Sequence, residues 1–348
     1  MTTLWDTTGT DVVKALAAER RSAGALAFGL ALTLVVVVDE KHVSVAESAA
    51  TTAAAAHPCR LLIVVRRQVD ASNSRLDAEV SIGGRLGPGE AVVMRMFGRL
   101  SLHAESVVLP LLAPDAPVVT WWHDVPPDRI AYDPLGVFAD RRVTDASVAE
   151  DPIAALRQRA ADFAPGDTDL AWTRLTAWRT LIAAAFDSLI EKPRAVTIVG
   201  GDVDPSVRLL SGWFSDRLNL AVNLETKAHR GLAEVRFDLD DGELTVARQD
   251  SRTAVLKRPG QPDRAVPLTE RGLGDLLAEE LRRLDHDGPY ADALAAWSGI
   301  GGLASRSPVR EHIWRDPMTG TAASPTTAGT ASTTGMAGTT GTIAGTAG

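Results

Sequence analysis

The chain has 348 residues, 45% hydrophobic and 23% charged, enough for two domains with a core each. Its formal net charge of −8 argues against a nucleic-acid partner, because nucleic-acid binders present a basic face. The single cysteine, Cys59, excludes an intrachain disulfide and any metal site built on several thiolates.

Residues 11–21 place Val12, Leu16 and Ala17 on one side, the pattern of a helix. Residues 23–38 are uncharged but fall short of the roughly 20 residues of a spanning helix. The β-branched run from Val35 to Val38, stopped by Asp39, instead predicts a buried strand over 30–39. A soluble, cytoplasmic protein with no membrane contact is the expectation. Residues 43–56 are Ala-rich and helix-forming, closed by His57-Pro58, and "RLLIVVRR" at 60–67 is a second apolar strand. Strand, helix and strand in this order make a βαβ unit and favour parallel pairing.

Residues 76–82 alternate and read as a strand; 91–102 form another. A helix over 104–112 and a strand over 117–122 follow, then an aperiodic loop over 126–147 with at most one short element. Asp151-Pro152 has the chemistry of a helix start, and that helix runs to about Phe163. Asp167 or Thr168 then caps one long helix to Leu189, buried through Leu175, Trp178, Ile182 and Ala185. Strands are predicted over 195–201 and 220–227, with a helix from Asp204-Pro205 between them. A hairpin joins 232–239 to 244–248, with Asp241-Gly242 in a type I′ turn. Strands over 253–258 and 264–269, a helix over 271–283 and an Ala-rich segment near Trp297 complete the pattern.

The predicted fold class is α/β and α+β. An N-terminal α/β domain (1–150) holds a mixed sheet with βαβ character. A C-terminal α+β domain (151–316) holds a largely antiparallel sheet with helices on one face. Residues 317–348 form a Thr/Ala/Gly-rich tail whose composition cannot offset the entropy of ordering, so disorder is expected there.

Signals for catalysis are weak. None of the seven histidines has a metal-ligand spacing; His103 near Glu105 and His123 beside Asp124 come closest to a site. There is no G-x-S-x-G elbow, and "IGGRLGPGE" lacks the Gly-Lys-Ser/Thr ending of a P-loop. "TIVGGDVDPSVRLL" (197–210) runs from strand through Gly-Gly into a helix start, where a nucleotide-binding fold presents backbone N–H groups to phosphate. The Rossmann spacing is absent, however, and Asp202 and Asp204 would repel an anion. Gly200, Gly201 and Asp202, with His123, are the ligand loop of one alternative: a sugar-phosphate- or nucleotide-binding enzyme. No catalytic residue, metal or cofactor is assigned.

The aromatic residues carry more. Eight tryptophans stand against two tyrosines, and Trp121 and Trp122 adjoin in one strand, where neighbours point to opposite faces. One is expected in the first core, the other outward, against the second domain or a partner protein. Trp213 beside Phe214 poses the same problem. Trp121, Trp122, His123, Asp124 and Trp213 are therefore the candidate partner interface.

Four segments together resemble the OpcA family, the glucose-6-phosphate dehydrogenase assembly proteins of actinobacteria and cyanobacteria. They are "HPCRLL" (57–62), "GEAVVMRMFGRLSLHAESVVLPLLAPDAPVVTWWHDVPP" (89–127), "GDTDLAWTRLTAWRTLIAAAFD" (166–187) and "DVDPSVRLLSGWFSDRLN" (202–219). The resemblance implies a non-catalytic protein that binds glucose-6-phosphate dehydrogenase, promotes its active oligomer and so feeds NADPH supply. It also implies, for some relatives, control by cysteine redox state. With Cys59 alone, an intramolecular dithiol switch is excluded here, while a mixed or intersubunit disulfide stays open.

Overall fold

The computed structural model describes residues 1–24, 30–68, 70–83, 89–187, 192–227 and 231–309. The expected tail lies outside the described residues. Among the described residues no helix is long and apolar enough to cross a membrane.

The first part of the chain runs β1 (Thr2–Leu4), α1 (Gly9–Ala23), β2 (Leu32–Asp39), α2 (Val43–Ala56), β3 (Cys59–Arg67), β4 (Arg75–Ile82) and β5 (Glu90–Phe97). It continues through α3 (Glu105–Val108), β6 (Val118–Trp122), β7 (Arg141–Thr144), α4 (Pro152–Asp162) and β8 (Asp167–Asp169). These strands form one eight-stranded sheet in the order β1-β4-β5-β3-β2-β6-β7-β8. The six from β5 to β8 are mutually parallel; at one edge β4 pairs antiparallel with β5, and β1 pairs antiparallel with β4. Counted along the chain, the parallel strands lie 3-2-1-4-5-6, the order of a doubly wound dinucleotide-binding sheet. The expected βαβ unit is β2-α2-β3.

Both faces of this sheet are covered, which is why β2 reads as a continuous apolar run. Leu34, Val36 and Val38 face α2 and share a core with Ala46, Ala50 and Trp121. Val35 and Val37 face α1 and α3 and share a core with Val12, Val107 and Trp122. In register, Val36 is opposite Trp121 and Val37 opposite Trp122. The tandem tryptophans are thus divided between two cores, each only 1% exposed. The expectation that one of them faces a partner protein is corrected, since a sheet buried on both sides has no free face at β6; packing against the second part of the chain, the other expected role, is what Trp121 does beside Leu276, Leu277 and Leu281.

The second part runs α5 (Leu170–Thr173), α6 (Thr176–Phe186), β9 (Ala195–Gly200), α7 (Pro205–Leu218), β10 (Val222–Thr226), β11 (Leu232–Leu239) and β12 (Gly242–Arg248). It ends with β13 (Thr253–Lys257), β14 (Arg264–Pro267), α8 (Leu273–Arg282) and α9 (Gly288–Ser298). Its sheet has the order β10-β9-β11-β12-β13-β14, antiparallel except for the β9–β10 pair that α7 connects. Val196, Ile198, Val235, Phe237 and Val246 pack with Trp178 and Ile182 of α6, Phe214 of α7 and Leu294 of α9. Phe214 meets Phe237 edge-on, with ring centroids 5.3 Å apart. Helix α8 goes elsewhere: Leu276, Leu277 and Leu281 join Trp121 and the α2 alanines in the core beneath the first sheet.

Four local expectations change. The strand at 91–102 stops at Phe97, because Gly98 adopts φ +61 so close to Ala71 O that a Cβ would lie 2.7 Å from it. The loop at 126–147 contains β7, whose four buried residues Arg141, Arg142, Val143 and Thr144 hide their pattern behind two arginines. The long helix divides into β8, α5 and α6. Asp167 accepts Ala164 N–H and Arg142 and pairs with β7, which holds this stretch as an edge strand, and Asp169 then caps α5 by accepting Ala171 N–H. The hairpin turn falls on Asp240 and Asp241, since Leu239 pairs with Gly242; neither aspartate has a positive φ, so the turn is not type I′.

Candidate functional site

In a doubly wound sheet, ligands bind beyond the carboxyl ends of the strands where the strand order reverses. Here that point lies between β2 and β6. β2 ends at Asp39 and leads through a 3₁₀ turn, Glu40–His42, into α2. β6 ends at Trp122 and delivers His123 and Asp124 beside that turn. The His123 N–H donates to Val37 O at 3.0 Å, extending the β2–β6 pairing by one step.

The two turns are joined through Asp124. Its Oδ2 accepts the Asp39 N–H at 2.7 Å, and its Oδ1 contacts Nδ1 of His42. Nδ1 of His123 lies 3.5 Å from the same Oδ1. The two imidazoles have centroids 5.5 Å apart, and the His123 ring sits edge-on to Trp121 at 5.3 Å. His123 and Asp124 are largely enclosed, with side chains 11% and 16% exposed, while His42 is 40% exposed. Among the described residues these three form a cluster whose ligand atoms lie within 4.8 Å of one another. Around it, Glu40 pairs with Arg67 at 3.5 Å and Arg95 at 3.6 Å.

This switch point does not suit a dinucleotide. A pyrophosphate needs glycines in the first turn for close backbone approach. The first turn here reads Asp39-Glu40-Lys41-His42, with two carboxylates and no glycine.

The Gly200-Gly201 loop, the ligand loop of the alternative reading, is used within the fold. Gly200 lacks a Cβ because one would lie 2.6 Å from Val207 Cγ2, so the glycine permits close strand–helix packing. The Gly201 N–H donates to Gly231 O at 3.1 Å, and Asp204 caps α7 through the Ser206 N–H at 2.8 Å. A hollow of about 260 Å³ beside the loop is lined by Arg174, Arg248 and Arg271. All three cations are engaged: Arg174 with Asp145 at 2.6 Å, Arg248 with Leu268 O at 2.9 Å, and Arg271 with Glu279. The Gly201 N–H is thus committed to the chain itself, and Asp202 O accepts from Arg208 at 2.8 Å.

Of the candidate interface residues, the structure unites His123 and Asp124 and buries Trp121 and Trp122. Trp213 is half-buried beside Phe214, at 5.1 Å between centroids. The exposed tryptophan among the described residues is Trp5, 68% exposed. Sequence reading missed His42, which lies 82 positions from Asp124, as a partner of His123 and Asp124. The turn between a buried strand and its helix, at the first position of a βαβ unit, was the available signal.

A two-sheet α/β protein whose doubly wound sheet carries an acidic and histidine-bearing switch point is not defined by this fold as a nucleotide enzyme. Comparison places it more narrowly. Residues 50–161 match the family described as glucose-6-phosphate dehydrogenase subunit, N-terminal domain, and residues 165–294 match the corresponding C-terminal domain. The chain belongs to the OpcA family. It is 28% identical over 215 residues to a protein of Synechococcus elongatus provisionally named OxPP cycle protein OpcA; the match covers 58% of this chain. It spans just under half, 45%, of that relative. Among solved structures it is similar to the 3-ketoreductase KijD10 of Actinomadura kijaniata at 13% identity and TM-score 0.42, covering 79% of this chain and 96% of that one. It is also similar to UDP-N-acetylglucosamine 3-dehydrogenase GnnA of Acidithiobacillus ferrooxidans at 13% identity and TM-score 0.37, covering 80% and 97%.

Proposed function

We propose that this chain is a non-catalytic partner of glucose-6-phosphate dehydrogenase that binds the enzyme in the cytoplasm, favours its active oligomer and raises NADPH supply through the oxidative pentose phosphate pathway. The observation that carries this reading is membership of the OpcA family across both halves of the chain. The switch point supports it, because an acidic turn without glycine stands where a dehydrogenase of this topology would cradle its cofactor. Such an effector works by binding the active state of the enzyme more tightly than the inactive one, and its effect is limited to that difference.

Contact residues belong on free surface. Trp121 and Trp122 are withdrawn from this role by their burial. His123, Asp124 and Trp213 retain part of their surface, and Trp5 and Val125, 68% and 76% exposed, are large apolar side chains open to a partner. The test is a titration of this chain into glucose-6-phosphate dehydrogenase from the same organism. A saturable rise in rate, weakened by Trp5→Ala or Val125→Asp, supports the reading, including the role of these surfaces. A rate independent of the chain removes it.

A further inference from the structure

We propose that His42, His123 and Asp124 bind a divalent transition-metal cation of borderline softness, with zinc as the type metal. In a tetrahedral site with ligand bonds of about 2.0–2.1 Å, ligand atoms stand roughly 3.3 Å apart. The three side chains already converge to within 4.8 Å of one another. The separation from His123 Nδ1 to Asp124 Oδ1 is 3.5 Å, and the His42 contact with that oxygen is shorter still. Small rotations about the side-chain bonds bring all three to one centre.

The hydrogen-bond inventory points the same way. A His–Asp pair would account for His42, whose Nδ1 can donate to Asp124 Oδ1. It leaves His123 unexplained: its Nδ1 is buried, is aimed at the same oxygen and has no hydrogen-bond partner among the described residues. Buried polar atoms are rarely left so, and each exception needs a cause. A cation between the rings satisfies both imidazole lone pairs and the carboxylate together.

The surroundings hold the ligands for such a centre. Asp124 gives Oδ2 to the Asp39 N–H, leaving Oδ1 for the metal, in the way outer hydrogen bonds orient ligating carboxylates. The His123 ring is braced by Trp121, and its backbone is fixed to β2 through Val37 O. Two imidazoles and one carboxylate select zinc and its neighbours over magnesium or calcium, which prefer oxygen ligands. Three protein ligands leave a coordination position open, and the partly exposed His42 marks the side from which a fourth ligand enters.

The test uses the full chain, stripped of metal and titrated with Zn²⁺ by calorimetry, with bound metal counted by mass spectrometry. His42→Ala removes a partly exposed ligand outside any strand. Asp124→Asn keeps an acceptor for the Asp39 N–H but loses the charge. The expected result is one Zn²⁺ per chain, with affinity reduced at least about tenfold in each variant. Co²⁺ substitution should give visible absorption bands that His42→Ala abolishes, while circular dichroism shows the fold unchanged. Failure of the wild type to take up stoichiometric zinc overturns the proposal. So does unchanged affinity in both variants, or displacement of zinc by equimolar Mg²⁺. No dehydrogenase enters this experiment, so its outcome is independent of the proposed function.

Discussion

Arg141 on β7 and Glu280 on α8 form a buried ion pair, with Arg141 Nε 2.9 Å from Glu280 Oε2 although they stand 139 positions apart in sequence. Both side chains are nearly sealed, the residues 2% and 4% exposed. Thr173 Oγ1 donates to the other Glu280 oxygen at 2.6 Å, and Arg141 Nη1 donates to Asp285 O at 2.8 Å. The pair fixes α8, which follows the second sheet in the chain, beneath the first. Removing one partner leaves the other charge buried and uncompensated, at a cost of about 3–5 kcal/mol. Glu280→Ala should lower the unfolding free energy by that amount in urea. Arg141→Met with Glu280→Met should be less destabilised than the sum of the single changes. Additive losses under about 1 kcal/mol each would mean that the pair does not tie the two parts together.

Trp121 and Trp122 should act as two core residues, not as one core residue and one contact. Each alanine substitution should cost about 3–5 kcal/mol, the range for truncating a buried aromatic. Neither indole N–H has a hydrogen-bond partner among the described residues, so phenylalanine at either site removes an orphaned donor and should be far milder. Denaturation curves of the four single variants decide this. An alanine variant of full stability that had lost only partner binding would show that its tryptophan contacts the partner.

Cys59 opens β3 in the first core, and burial pushes its thiol up to about 12. The thiolate is the reactive form, so the side chain should be inert at neutral pH. A thiol-reactive dye should label the native chain only as fast as it unfolds, and fully in guanidinium. Rapid labelling of the native state would restore the mixed disulfide as a route of control.

Burial first, and the nearby Asp145 carboxylate second, push the Asp169 carboxyl up to about 6. Its unfolded value is near 3.9. A folded pKa above the unfolded one gives stability that is complete below about pH 4 and lost as pH rises through about 6. Asp169→Asn stays neutral throughout. Melting temperatures of the two proteins should therefore shift in favour of the variant between pH 4 and pH 7. A constant difference across that interval would contradict the assignment.

The parts of the fold visible in the sequence are those with a clean period and local punctuation. The helix over Val43–Ala56 and the apolar strand β3 declare themselves through an alanine run, a His-Pro stop and an unbroken set of branched side chains. β7 does not, because Arg141 and Arg142 read as solvated charges until Glu280 and Asp167 are known to meet them. The break in the long helix is hidden for the same reason: Asp167 reads as a cap, whereas its carboxylate accepts from Arg142, 25 positions upstream. At the switch point, His123 and Asp124 were legible as a pair. The third member, His42, comes from another strand end and becomes visible only with the strand order. The tandem tryptophans mark a sheet with two covered faces, a property of tertiary packing that alternation alone leaves open.

The central claim, that this chain works by binding glucose-6-phosphate dehydrogenase, is tested most directly by sedimentation velocity of the purified enzyme with and without the chain. A new, faster species containing both proteins and a shift of the enzyme toward its larger oligomer are the expected result. An enzyme that sediments identically in the presence of excess chain, and turns over at the same rate, would contradict it.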